Sequence, residues 1–135
     1  MEHVIAGYLR QVWEMSGWLY EGQHGFRPGY SCESQALTVC QDTVHSLEVG
    51  VRTDAIKIID FSKAFDLDPH YGLLTKIAAT GVDLRVVVWV KKFLLGCSQR
   101  VRVDGQPSEE VRVTSGVPQG SVLSPLLLLT NANDV

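Results

Sequence analysis

The residues of this chain that could do chemistry fall in a few short stretches. The run Ala55-Ile56-Lys57-Ile58-Ile59-Asp60 is apolar, mostly β-branched, and ends in a carboxylate. It reads as a buried strand over about 54–60, with Asp60 at its C-terminal tip. A group in that place is held rigidly at the mouth of a cleft, where α/β folds commonly put their chemistry. There a carboxylate can hold a hard divalent cation such as Mg²⁺; it can equally end the strand or cap the segment after it. In the loop Gln23-His24-Gly25-Phe26-Arg27-Pro28-Gly29-Tyr30-Ser31, Arg27 and the amides around the glycines could meet a phosphate, or Arg27 could satisfy loop carbonyls. A second Gly/Pro loop, Ser115-Gly116-Val117-Pro118-Gln119-Gly120-Ser121, leads into an apolar helix. Amides and a positive dipole at such a helix start attract anions. Arg100, Arg102 and Arg112 share one face of two alternating segments, as a cationic strip or as a solvated face with Glu110 to pair.

Composition narrows the classes. With 135 residues, 45% hydrophobic and 20% charged, the chain is a globular unit with a modest core rather than a disordered one. A net charge of −3 argues against a free-standing nucleic-acid binder, although a piece of a larger polymerase can be acidic and still bear one basic face. Cys32, Cys40 and Cys97 have no C-x-x-C spacing, which argues against a disulfide framework or zinc knuckle and for buried or reduced thiols. His45 lacks a Cys or His partner at ligand spacing and is expected to be a surface or satisfied histidine rather than a ligand. No apolar run reaches the ~18–20 residues of a membrane span, and the N-terminus does not read as a signal peptide. The expected location is intracellular, in cytoplasm or nucleus.

Helices and strands must position these groups. Val4, Ile5, Tyr8, Leu9, Val12 and Trp13 recur at helical spacing over 3–15, and Ser16-Gly17 stops that helix. Trp18-Leu19-Tyr20 reads as a packed connector. Ser31 caps a helix to about Val49, with Ala36, Leu37, Val39, Cys40, Val44 and Leu47 as its buried stripe and Gly50 as its stop. Lys57 is unusual inside a buried strand and must snorkel or pair. Helices are expected over Tyr71 to Thr80, over Leu84 to Leu95 behind an Asp83 cap, and over Val122 to Asn133 with Pro125 in the first turn. Residues 98–104 and 109–113 alternate strictly and predict a β-hairpin around Gly105-Gln106-Pro107-Ser108, with Val101, Val103, Val111 and Val113 inward. With no repeat and no linker, the pattern reads as one α/β or α+β unit.

Four motifs stand in order. They are Gln-His-Gly-Phe-Arg-Pro-Gly at 23–29, Asp-Phe-Ser-Lys-Ala-Phe-Asp with Pro-His at 60–70, Arg-Val-Arg-Val-Asp-Gly at 100–105, and Ser-Gly-Val-Pro-Gln-Gly-Ser-Val-Leu-Ser-Pro at 115–125. Together they resemble the reverse transcriptase domain of non-LTR retrotransposons, the long interspersed element type, over nearly the whole chain. The resemblance implies part of the fingers and palm of a right-hand polymerase, with helices packed on a small sheet plus a β-hairpin. The fingers remnant would cover about 1–53 and the palm portion about 54–135. It implies templated deoxynucleotide addition to a DNA primer on an RNA template, with two Mg²⁺ ions at the reacting phosphate. Asp60 matches the first catalytic, metal-holding aspartate, and Phe61 would lend its carbonyl to the nucleotide-side metal. Phe65 matches the aromatic residue beneath the incoming sugar, which excludes a 2′-hydroxyl. Pro118, Gln119 and Gly120 match the loop that packs on nucleotide and template. Arg27 matches a fingers segment near the template.

The departures bear on activity. The family's second carboxylate pair lies in a Phe/Tyr-Ala-Asp-Asp hairpin, and the 135 residues contain no adjacent Asp-Asp pair. Two dications need more oxygen ligands than one aspartate and one carbonyl supply. The chain is therefore expected to be a fragment truncated before that box, inactive alone, or a non-enzymatic remnant that binds nucleic acid weakly through Arg27, Arg100, Arg102 and Arg112. A central strand lacking its hairpin partner would leave a sheet edge open, so the isolated chain is expected to be partly molten or to self-associate. Lys57, Asp68 and the Leu126-Leu127-Leu128-Leu129 run also depart from the family's usual residues.

Overall fold

A computed structural model describes residues 1–51 and 65–133. Among these lie five helices and two small antiparallel sheets. The predicted strand at 54–60, with Lys57, Asp60, Phe61 and the sheet edge beside them, lies outside the described residues. The chain divides into two compact units, one of Met1–Trp18 with Lys63–Val135 and one of Leu19–Ser62.

In the first unit α1 spans Glu2–Met15, α3 His70–Ala79, α4 Leu84–Leu95 and α5 Ser124–Ala132. Helix α3 packs on α4 and α5, and α1 packs on α5. The core between them is Leu9 and Trp13, Leu73 and Ile77, Val90 and Leu94, and Leu123, Leu126, Leu127 and Leu129. Val86-Val87-Val88 stays helical despite its β preference, because both ends of α4 are set locally. Asp83 accepts the Arg85 N–H at 2.8 Å, and Gly96 follows as C-cap. Polar ties fix α1 on this core: the Trp13 indole N–H donates to Thr80 Oγ1 at 2.9 Å, and the Asp83 N–H donates to the Tyr8 hydroxyl at 3.1 Å. Pro125 sits in the first turn of α5, where it removes no helical hydrogen bond.

The hairpin forms, but not as the alternation predicts. Strand β1 (Ser98–Gln99) pairs with β4 (Val111–Arg112), and β2 (Arg102–Val103) with β3 (Gln106–Pro107). Asp104 and Gly105 both take positive φ, +48° and +81°, so the turn is the two-residue Asp-Gly type rather than the longer loop expected over 105–108. Between the two ladders, Arg100-Val101 faces Ser108-Glu109-Glu110, a bulge of one extra residue. The bulge breaks the alternation between the arms. Val101, Val103 and Val111 are exposed and Val113 is half-buried, which corrects the expected inward row. Among the described residues no helix packs closely on the hairpin strands, so Val101, Val103 and Val111 stay in solvent.

In the second unit, α2 spans Cys32–Glu48. Ser31 caps it as predicted: its Oγ accepts the Ser34 N–H at 3.2 Å, and Ser34 Oγ accepts the Ser31 N–H at 2.9 Å, a reciprocal capping box. The stripe reading is overturned. Helix α2 has no buried residue, and Leu37, Val44 and Leu47 are 61%, 53% and 64% exposed, with Cys40 exposed beside them. The half-covered positions are instead polar ones such as Ser34, Gln35 and Thr38. Periodicity marks which residues share a face but not which face meets the rest of the unit. Tyr20 of the connector is exposed rather than packed; Cys32 and Cys40 are exposed, and all three cysteines are free thiols.

Candidate functional site

Segment 65–70 follows the Asp60 box, and segment 115–119 opens the loop before α5. Some fifty residues separate them in sequence, yet they lie side by side. Pro69 and Ser115 form an antiparallel bridge. The Gly116 N–H donates to Asp68 O at 2.8 Å and the Val117 N–H to Phe65 O at 2.7 Å. The Ser115 hydroxyl donates to Asp66 O at 3.1 Å. His70, buried at the start of α3, closes the junction: its Nε2 lies 2.8 Å from Gly116 O. A carbonyl only accepts, so Nε2 carries the proton in this arrangement. Among the described residues, the opposite nitrogen, Nδ1, is buried without a hydrogen-bond partner, as is Asp68 Oδ2.

Gly116 is required at this seam for two separate reasons. Its φ is +79°, and a Cβ there would lie 2.5 Å from Phe65 O and 2.8 Å from Asp66 O. Backbone carbonyls cannot rotate aside as a flexible side chain can, so the approach of the two segments depends on the missing Cβ.

The seam borders a cleft of about 1030 Å³. Phe65, Asp66, Pro118 and Gln119 line one part, and Cys97, Ser98, Arg112 and Thr114 line another. Phe65 and Gln119 also line a smaller hollow of about 370 Å³ with Gly120, Ser121 and Ser124. Gly120, at φ +84°, turns the loop behind Gln119. The Gln119 amide reaches back, its Nε2 lying 3.5 Å from Asp66 Oδ1. Ser121 Oγ accepts the Leu123 N–H at 3.1 Å and donates to Glu2 at 3.0 Å, joining the loop to α1.

The predicted site residues thus divide. Phe65, Pro118, Gln119, Gly120 and Arg112 gather around this cleft and hollow. Asp60 and Phe61 lie outside the described residues. Arg100 donates to Glu110 at 2.5 Å, and Ser98 Oγ donates to the same carboxylate. The Ser98 hydroxyl, followed by Arg100, lowers the Glu110 pKa below its ordinary value. Arg102 is exposed, beyond the bulge. In the other unit, Arg27 Nη1 donates to Tyr20 O at 3.1 Å and Gln23 O at 3.3 Å, and its guanidinium lies 4.9 Å over the Tyr30 ring. That is the loop-carbonyl arrangement. Sequence reasoning assigned no role to Asp66, His70, Ser115 or Gly116. All four stand inside the quoted motifs, but their partners are distant in sequence, so no local spacing announces them.

Among the described residues, no three His, Cys, Asp or Glu side chains come together as a metal site. The described part of the cleft therefore does not by itself fit a pair of dications. No described helix is long and apolar enough to cross a membrane.

Comparison with known proteins gives the family of the sequence. The family described as reverse transcriptase (RNA-dependent DNA polymerase) matches residues 1–135. The chain is 32% identical over 134 residues to the probable RNA-directed DNA polymerase from transposon X-element of Drosophila melanogaster, covering 99% of this chain and 14% of that protein. It is 31% identical over 140 residues to the RNA-directed DNA polymerase from mobile element jockey of the same organism, covering 100% and 14%. It is 32% identical over 126 residues to the probable RNA-directed DNA polymerase from transposon BS, also of that organism, covering 93% and 14%. The chain thus spans about a seventh of the length of these relatives. A family match over its whole length, with transposon polymerases as relatives at more than 30% identity, identifies the chain as a member of the reverse transcriptase family in its non-LTR retrotransposon branch.

Proposed function

We propose that this chain is a fragment of an RNA-directed DNA polymerase, part of the fingers (about 1–53) and palm (about 54–135), and that it does not polymerise alone. Helix α1, at the start of the fingers stretch, packs on α5 of the palm stretch within one compact unit. Asp60 is the catalytic carboxylate and, with the Phe61 carbonyl, the protein's contribution to holding Mg²⁺. The metal would supply charge stabilisation at the reacting phosphate. Phe65 lies beneath the incoming deoxynucleotide's sugar, and Pro118, Gln119 and Gly120 pack on the nucleotide. Arg100, Arg102 and Arg112, with Arg27, meet the RNA template and DNA primer. The observation that supports the reading is the seam: it brings Phe65 and Gln119, fifty-odd residues apart, to the wall of one cleft. The missing activity follows from ligand number. No adjacent Asp-Asp pair exists in these 135 residues, and two dications need several fixed oxygens.

The test is primer extension by the purified chain with template, Mg²⁺ and deoxynucleotides, alongside nucleotide titration. The expected result is no extension, with deoxynucleotide bound in preference to ribonucleotide and the preference lost in Phe65→Ala. Robust extension would overturn the claim of inactivity; nucleotide binding without sugar discrimination would overturn the Phe65 role. The alternative is a non-enzymatic remnant binding nucleic acid weakly, which the exposed Arg102 and Arg112 of the hairpin favour. It predicts salt-sensitive nucleic-acid binding with no nucleotide binding in the cleft.

A further inference from the structure

We infer that Asp66 is a positioning residue for Gln119; the functional consequence rests on the nucleotide reading above, but the geometry does not. The two residues meet on backbone that is already pinned. The Asp66 carbonyl takes the Ser115 hydroxyl at 3.1 Å, and the preceding carbonyl, of Phe65, takes the Val117 N–H at 2.7 Å. The Asp66 carboxylate is thus carried on one side of the seam, and Gln119 rides two residues beyond Val117 on the other. Asp66 Oδ1 accepts from Gln119 Nε2 at 3.5 Å.

An exposed glutamine on a turn has three rotatable side-chain bonds and an amide whose oxygen and nitrogen ends exchange by a simple flip. Left alone, it samples many orientations and presents donor and acceptor indiscriminately. A carboxylate breaks that equivalence. It can only accept, so it attracts the NH₂ end and repels the oxygen end. The Gln119 oxygen is thereby turned off Asp66 and left available as an acceptor in the cleft. At 3.5 Å the bond is long, so it biases the amide rather than locking it. The effect on a bound nucleotide is accordingly several-fold rather than absolute. Asp66 is exposed, and its structural bond to Ser115 uses the backbone carbonyl, so truncating its side chain leaves the seam intact.

The experiment uses the full chain, labelled with ¹⁵N, with the Gln119 side-chain amide signals assigned by their loss in Gln119→Met. On acidification, the wild-type Gln119 NH₂ signals are expected to move as the neighbouring carboxylate protonates. In Asp66→Ala that pH response disappears. In Asp66→Asn it disappears too, because the Asn amide has no proton to gain over that range. Titration with Mg²⁺–dATP is expected to show binding weakened about three- to tenfold in Asp66→Ala and not restored in Asp66→Asn, whose amide donates as well as accepts and so no longer favours one end of Gln119. Gln119 signals that respond to acid identically in wild type and Asp66→Ala would overturn the proposal. So would equal nucleotide affinity in those two proteins. Should the wild type bind no nucleotide while its Gln119 signals still follow Asp66, the nucleotide reading fails and the positioning contact stands.

Discussion

Gly116→Ala tests whether the seam between segments 65–70 and 115–119 holds the site together. The added methyl meets two penalties. The first is conformational: φ of +79° costs an L-residue about 1–2 kcal/mol. The second is steric, since the Cβ would stand 2.5 Å from Phe65 O and 2.8 Å from Asp66 O, and relief requires the segments to part. Parting them stretches the Gly116–Asp68 and Val117–Phe65 backbone bonds and the buried His70–Gly116 bond. Each is worth about 1 kcal/mol, and a buried His70 N–H left without its acceptor costs somewhat more. Losing two of the three brings the total to about 3–5 kcal/mol, a large share of the ~5–15 kcal/mol by which a domain is stable. At about 3 °C per kcal/mol for a chain of this size, the melting temperature should fall by roughly 9–15 °C. Gly105→Ala is the control: its φ is +81°, but nothing lies within 4 Å of the added Cβ. It should show only the conformational cost, a fall of about 3–6 °C. Calorimetric or circular-dichroism melts of the three proteins decide the matter. If Gly116→Ala melts no lower than Gly105→Ala, the close approach of the carbonyls is not what the seam depends on.

Leu37→Gln, Val44→Gln and Leu47→Gln in α2 should each change stability by no more than about 0.5 kcal/mol, whereas Leu9→Ala or Leu127→Ala in the core should cost about 2–5 kcal/mol; urea midpoints compare them. A core-sized loss at any of the three α2 positions would show that this face is covered in solution. The Arg85 side chain, followed by the Arg85 backbone N–H, lowers the Asp83 pKa to about 2. A depressed carboxyl pKa stabilises the fold above the ordinary carboxylate value, and that contribution is lost as pH falls toward the folded value. The start of α4 should therefore fray between about pH 4 and about pH 2, read as rising amide exchange at residues 84–87, and Asp83→Asn should remove this pH dependence.

The helix ends were legible because their causes are local. The Asp83 carboxylate, the Ser31 hydroxyl and the glycines at 50, 81 and 96 each act within a few residues of their targets. The motif residues of the cleft, Phe65 and Pro118 to Gly120, were legible through their order and wording. Asp-Gly at 104–105 also stated its turn, although strict alternation suggested a longer loop and concealed the bulge.

Spacing along the chain determined which side chains share a face, where helices stop, and which family the motifs belong to. Tertiary structure alone decided whether a face is covered: the stripe of α2 and Val101, Val103 and Val111 of the hairpin have core-like patterns and remain exposed, because burial requires a second surface that no local pattern supplies. It also decided what holds the cleft. Asp66, His70, Ser115 and Gly116 act on partners about fifty residues away, and a hydrogen bond or a missing Cβ has meaning only once the chain has brought the two segments within a few ångströms.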